Sequence, residues 1–186
     1  IPNDRMLRWS AKDGMRVWRE RVEFTNGHTR DLDGTILHCS HGLRAVFRTN
    51  VDGSAQRTVV DRWEGRRFNA PNDIVVRSDD SVWFTDPLFG INGEWEGSRA
   101  RPEQATTNVY RIAPDGRIAA VITDLVNPNG LAFSPDEKKL YVVEWKGTPN
   151  RSIWAYDVGA DGMSLSNKTK LIDAADQGAL DGFRVD

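Results

Sequence analysis

Three short polar motifs stand out by residue type and spacing: Asn72-Asp73, Asn129-Gly130 and Asp181-Gly182, 57 and then 52 residues apart. Two carboxamide oxygens and one carboxylate form a hard-oxygen donor set. Such a set suits Ca²⁺, Mg²⁺ or Mn²⁺ better than a soft-site metal, and Zn²⁺ also accepts oxygen ligands. Asn and Asp are ordinary turn formers too, above all before Gly. Any one motif taken alone reads as a turn; three at matching positions of a repeat favour convergence on one site. A second pair, Arg67 and Asn69 in "RRFNAPND", lies two residues apart. In an extended segment the two side chains face the same way and can offer donors to hydroxyl or carbonyl oxygens of a polar substrate. A solvated Arg beside a turn Asn is the competing reading.

Other candidates carry less. "HCSH" brings His38, Cys39 and His41 together, but in a strand the two histidines point to opposite faces. A buried or hydrogen-bonded role is expected for each. Cys39 is the single cysteine, so an intramolecular disulfide and a cysteine cage for zinc are excluded. There is no Gly-x-Ser-x-Gly elbow, no phosphate-binding Gly-x-x-x-x-Gly-Lys loop and no dinucleotide fingerprint after a strand. Most tryptophans sit in strand patterns and read as core, with Trp95 the exception.

The elements that must position these residues repeat along the chain. An alternating apolar stretch ending in Asp-Gly recurs at 6–14, 45–53, 108–116 and 152–162, and a second unit recurs at 72–86 and 129–144. Val82 and Phe84, and again Leu140 and Val142, alternate with their neighbours, which is the period of a strand. The turns between them are Asp-Gly, Ser-Asp-Asp and Ser-Pro-Asp. Four strands recurring every ~40 to 50 residues is the pattern of propeller blades. A β-sandwich is the plainer alternative, but sandwich strands do not usually repeat in sequence. Residues 1–24 read as half a blade, 25–65, 66–126 and 127–175 as three whole blades, and 176–186 as the first strand of another. The segment 87–107 is a long insertion, of the kind that maps to a loop on a binding face.

Three and a half blades do not close a ring, since closed propellers have about four to eight. The polypeptide is therefore expected to extend beyond both ends, and residues 1–186 expressed alone are expected to aggregate. A soluble, cooperatively melting monomer of these residues would overturn that. The 186 residues carry 25 Lys and Arg against 27 Asp and Glu, a formal net charge of −2. Neither a strongly basic nucleic-acid binder nor a polybasic membrane protein fits that balance. Apolar runs such as Ile118–Ile122 are far too short to span a bilayer as a helix.

"RRFNAPNDIVVRSDDSVWFTDPLFG", "NPNGLAFSPDEKKLYVVE" and "LDGFRVD" together resemble the gluconolactonase, regucalcin (senescence marker protein) and luciferin-regenerating-enzyme family, in its bacterial gluconolactonase-like branch. The resemblance runs the length of the chain. It implies an all-β, six-bladed β-propeller of about 280 to 300 residues, of which this chain supplies about three and a half blades. It implies one divalent cation in the central channel, Ca²⁺ foremost, with Zn²⁺, Mg²⁺ or Mn²⁺ as alternatives. Carried over motif by motif, the ligands are Asn72, Asn129 and Asp181, with a further Glu expected upstream of residue 1. Arg67 and Asn69 match the pair that binds substrate.

The implied activity is opening of a sugar lactone, D-glucono-1,5-lactone to gluconate, with the cation polarising the carbonyl and Asp181 as general base as well as ligand. Loop 87–107, with Phe89 and Trp95, is expected to wall the substrate site. A phosphotriesterase or arylesterase on the same site, or a non-catalytic calcium-binding propeller, are the alternatives. The expected partner is a small-molecule sugar lactone, with no nucleic acid and no membrane. The expected compartment is the cytoplasm, with the periplasm as the alternative.

Overall fold

The structure is a computed structural model, and it describes residues 3–145, 151–174 and 178–185. Among these the one helical element is a single 3-10 turn, Phe89–Ile91; the rest of the regular structure is strand. No helix among the described residues is long and apolar enough to cross a membrane.

The chain opens on a hairpin, β1 (Arg5–Ser10) with β2 (Gly14–Glu20). Three four-stranded antiparallel meanders follow. The first runs β3 (Thr25–Arg30), β4 (Ile36–Ser40), β5 (Ala45–Thr49) and β6 (Arg57–Val60). A small hairpin, β7 (Arg62–Trp63) with β8 (Arg66–Arg67), leads out of it. The second sheet is β9 (Ile74–Val76), β10 (Val82–Asp86), β11 (Asn108–Ile112) and β12 (Ile118–Ile122). The third is β13 (Pro128–Phe133), β14 (Lys139–Glu144), β15 (Ser152–Val158) and β16 (Leu165–Asp173). The expected division between residues 175 and 176 falls outside the described residues.

Local chemistry explains the meanders. The Asp-Gly pairs at 13–14, 52–53, 115–116 and 161–162 each put the glycine at a φ between 65° and 86°, the left-handed region that a tight turn needs. Sheet stacking explains why β10 is buried along its whole length although it alternates. Val82 and Phe84 pack with Leu37, Cys39 and Val46 of the preceding sheet. Trp83 packs with Leu131, Leu140 and Val142 of the following one. Each interior sheet is sandwiched between two neighbours, so both faces of its strands carry apolar residues. The hairpin β1–β2 leaves Leu7, Trp9, Met15 and Val17 exposed, and β16 leaves Leu171 and Ile172 exposed. Successive sheets face one another through β3, β9 and β13, the first strand of each meander, which lie in contact. This is the radial arrangement of an all-β propeller.

Candidate active site

The inner segments around β3, β9 and β13 and the segment 178–185 are stitched side by side. Gly27 N–H donates to the Asn72 carbonyl at 2.7 Å, Leu131 N–H to the Asp73 carboxylate at 3.3 Å, and Gly130 N–H to the Asp181 carbonyl at 3.2 Å. A Cβ at Gly27 would run into the Asn72 carbonyl, and one at Gly130 would lie 2.6 Å from the Asp181 carbonyl. Glycine after Asn is therefore what lets the neighbouring strand come this close. Asn26, just before Gly27, and Asn129, just before Gly130, face one shared space with Asn72 and Asp181. A cleft of about 360 Å³ is lined by Asn26, Asn72, Asn129 and Asp181, with Phe89, Asn92, Glu96 and Trp145 around them.

All three residues read as metal ligands from sequence thus meet in one cleft. Asn129 is 5% exposed, and its Oδ1 has no hydrogen-bond partner among the described residues. A buried carboxamide oxygen left bare costs ~1–3 kcal/mol, so it points to something that occupies the cleft. Asn72 is also buried, and its Nδ2 lies 3.2 Å from His41 Nε2. The other ring nitrogen of His41, Nδ1, lies 2.8 Å from the Glu96 carbonyl oxygen, which only accepts. Burial pushes the His41 pKa down to about 4, so the ring is neutral near neutral pH. The proton then sits on Nδ1, and Nε2 accepts from Asn72. The Asn72 amide is oriented by this bond, with Oδ1 left for the cleft.

The cleft is acidic. Glu96 is half-buried, and burial, followed by the charge of Asp181, pushes its pKa up. Asp73, beneath the lining, is also raised, chiefly by burial and against two backbone N–H bonds. The Arg184 guanidinium stands 3.7 Å from Asp73. Among the described residues no three His, Cys, Asp or Glu side chains cluster as a metal site. The donor set here is instead amide-rich, two carboxamides with one carboxylate, and oxygen-only. Such a set fits a hard divalent cation.

One wall is aromatic: Phe89 and Trp145 meet edge to face with centroids 5.2 Å apart. Asn127 holds both sides of it. Its Oδ1 accepts from Leu88 N–H at 3.0 Å, and its carbonyl accepts from Trp145 N–H at 3.2 Å. Phe89 stands where the insertion was expected to wall a site. Trp95 does not line the cleft: it is 73% exposed.

Arg67 and Asn69 do not line the cleft. Arg67 is half-buried, and its Nη2 donates to the Leu43 carbonyl at 3.0 Å. Asn69 is fully buried, its Nδ2 reaching the Asp86 and Thr106 carbonyls at 3.4 and 3.3 Å, while its Oδ1 has no partner. His38 faces away from His41, stacked on Phe47 with centroids 4.6 Å apart and bonded to His28 and Thr49. The two histidines share no site.

Asn26, Asn92, Glu96, Trp145 and the bond from Asn72 to His41 are not part of the sequence reading. A signal for Asn26 existed: Asn26-Gly27 lies 46 residues before Asn72 and repeats the Asn-Gly of 129–130.

A radial array of antiparallel sheets with a cleft at their inner edge is the architecture of a β-propeller. The chain belongs to the SMP-30/Gluconolactonase/LRE-like family, whose model it matches over residues 1–186. A gluconolactonase of Zymomonas mobilis is 34% identical across the whole chain, which covers 56% of that protein. The structure of a gluconolactonase from Xanthomonas campestris superposes with a TM-score of 0.90 at 38% identity, over 99% of this chain and 60% of that one. A calcium-binding regucalcin from Agrobacterium tumefaciens shares the fold at a TM-score of 0.69 and 16% identity, over 98% of this chain and 57% of its own. The chain thus spans a little over half the length of these relatives.

Proposed function

We propose that the protein is a lactone hydrolase that opens a sugar lactone, D-glucono-1,5-lactone foremost, with a divalent cation held in the cleft. The observation that carries this is the convergence of Asn72, Asn129 and Asp181 on one cleft, with the buried Oδ1 of Asn129 left bare there. Family membership and the gluconolactonase relatives support the reaction class. Asn72, Asn129 and Asp181 would hold the cation, Ca²⁺ by preference. When bound, it supplies Lewis acidity to the ester carbonyl.

The chain's own residues do the rest. Asp181, solvent-accessible at the cleft, takes the proton of the attacking water. The carboxamides of Asn26 and Asn92 offer donors and acceptors to ring hydroxyls, and the Phe89–Trp145 pair gives the ring an apolar wall. Glu96 brings a second carboxylate to the rim. The test is an assay of the protein on a panel of lactones, an aryl ester and a phosphotriester, with and without chelator. Lactone turnover lost on chelation and restored by Ca²⁺ is expected. Undiminished turnover after complete metal removal, or in Asp181→Ala, would rule the reading out.

A further inference from the structure

We infer that His41 is a positioning residue that ties the orientation of Asn72 to the seating of the segment 89–97 across the cleft. This rests on the cation reading above. His41 follows β4, is 1% exposed, and has a partner on each ring nitrogen. One partner is the Asn72 amide. The other is the backbone of Glu96, in the insertion that brings Phe89, Asn92 and Glu96 to the cleft.

Backbone bonds fix the residue, and close packing fixes the ring. Its own backbone N–H donates to the Phe24 carbonyl at 3.2 Å, and the next, Gly42 N–H, to the Glu23 carbonyl at 2.9 Å. Gly90 lies so close that a Cβ there would run into Cβ and Cγ of His41, and a Cβ at Gly97 would run into the Gly90 carbonyl. The segment is thus folded tightly over the imidazole and clipped to it by one strong bond. The Glu96 carboxylate oxygen Oε2 is 4.0 Å from the same Nδ1, so the bond goes to the carbonyl and the carboxylate remains available to the cleft.

With Nδ1 against a carbonyl oxygen and Nε2 against the Asn72 amide nitrogen, one tautomer performs both tasks. The Glu96 carbonyl holds the proton on Nδ1, and that leaves Nε2 bare to receive Asn72 Nδ2–H. A loop that lifts away therefore loosens the tautomer choice and with it the direction of Asn72 Oδ1. Outer partners that orient ligands in this way typically contribute about 10- to 100-fold to metal affinity.

Two substitutions separate the tasks. His41→Asn keeps a donor near Nδ1 and loses the acceptor at Nε2. His41→Gln keeps an acceptor near Nε2 and loses the donor at Nδ1. The readouts are Ca²⁺ affinity by calorimetry and amide hydrogen exchange of 89–97, in protein whose melting shows it folded. His41→Asn is expected to weaken Ca²⁺ by about 10-fold while 89–97 stays protected. His41→Gln is expected to hold Ca²⁺ within about 3-fold, which marks the Asn72 bond as the dominant one, while 89–97 exchanges faster.

Equal loss of both readouts in both variants, or no change in either, overturns the assignment. If neither variant folds, Gly90→Ala carries the test. It touches no proposed ligand and should still weaken Ca²⁺; an unchanged affinity overturns the coupling. Wild-type protein that takes up no Ca²⁺, Mg²⁺, Mn²⁺ or Zn²⁺ overturns the cation reading itself, and with it this role. Uptake by wild type with unaltered variants overturns only the role of His41.

Discussion

Two polar clusters share the insertion 87–107: its two ends meet at Asp86 and Glu103, its middle reaches the cleft at 89–96, and the clusters differ in what their side chains face. Around Asp86 the bonding is nearly closed, with Asn69 Oδ1 and Arg44 Nη2 left without a partner among the described residues. Its two carboxylate oxygens accept from Asn69 N–H at 2.9 Å and Ala70 N–H at 2.8 Å. Arg44 Nε donates to the Phe68 and Asn69 carbonyls, and Glu103 accepts from Arg67 N–H and from Arg44. In the cleft the side chains are just as polar, yet Asn129 Oδ1 is bare and Asn72 has only its donor engaged. A closed network rigidifies a fold; an open one, held in place by backbone bonds between strands, is built for something that arrives. The polarity of a cluster therefore says little about its role; since each holds one bare carboxamide oxygen, what says more is whether its side chains face a cleft.

Crossed alanine substitutions give the largest expected effects and break the comparison if it is false. Asp181→Ala should cut lactone turnover by about 1,000-fold, within the range for loss of a general base. It should leave the melting temperature nearly unchanged, because the bond from Gly130 goes to the backbone carbonyl of Asp181. Asp86→Ala should do the reverse in origin. It leaves two buried amides without acceptors and costs about 3 kcal/mol of stability. Denaturant melts and steady-state kinetics on both variants check this. A destabilised Asp181→Ala with a stable Asp86→Ala would exchange the roles of the two clusters.

A pH titration sharpens the same contrast. Burial pushes the Asp86 pKa from 3.8 up to about 7 in the folded protein, against the two backbone N–H bonds and Arg44 that pull it down. Between these values the folded protein keeps a proton that the unfolded chain releases. The contribution of Asp86 to stability is therefore fully present below about pH 4 and is lost as the pH rises through about 7. The difference in unfolding free energy between wild type and Asp86→Asn should fall along that window. A flat difference would show that the hydrogen bonds hold the carboxylate ionised throughout.

What could be read ahead of the structure follows from periodicity. Strands announce themselves by alternation, and residues on the first strand of each meander repeat at blade spacing, which is how Asn72, Asn129 and Asp181 could be read as one set. Asn26 obeys the same spacing but sits in "TNGHTR", a strand with no apolar alternation to announce it. Glu96, Asn92 and Trp145 reach the cleft through loops, whose course no period encodes. His41 reaches it through its contacts with Asn72 and Glu96, which lie 31 and 55 residues away in sequence. Trp95 was the more conspicuous aromatic of the insertion, yet the tight packing of Gly90 on His41 and Gly97 on Gly90 puts Phe89 at the cleft, and Trp95 is left in solvent.

The smallest expected effect concerns Arg67, where the family pattern and the geometry differ. The resemblance assigns it to substrate. The structure gives its Nη2 to the Leu43 carbonyl and its backbone N–H to Glu103, in the closed cluster. Arg67→Ala should then lower stability by about 1 kcal/mol, the worth of one hydrogen bond from a charged donor that is half-exposed. It should leave KM for the lactone within about 2-fold, because uniform binding is lost only where a side chain touches substrate. Asn92→Ala, on the cleft wall, should raise KM by more than Arg67→Ala does. A larger KM rise in Arg67→Ala than in Asn92→Ala, with stability intact, would extend the substrate site from the open cluster into the closed one. The boundary between the two would then run through the insertion at Glu103, whose carboxylate now holds Arg67 and Arg44 together.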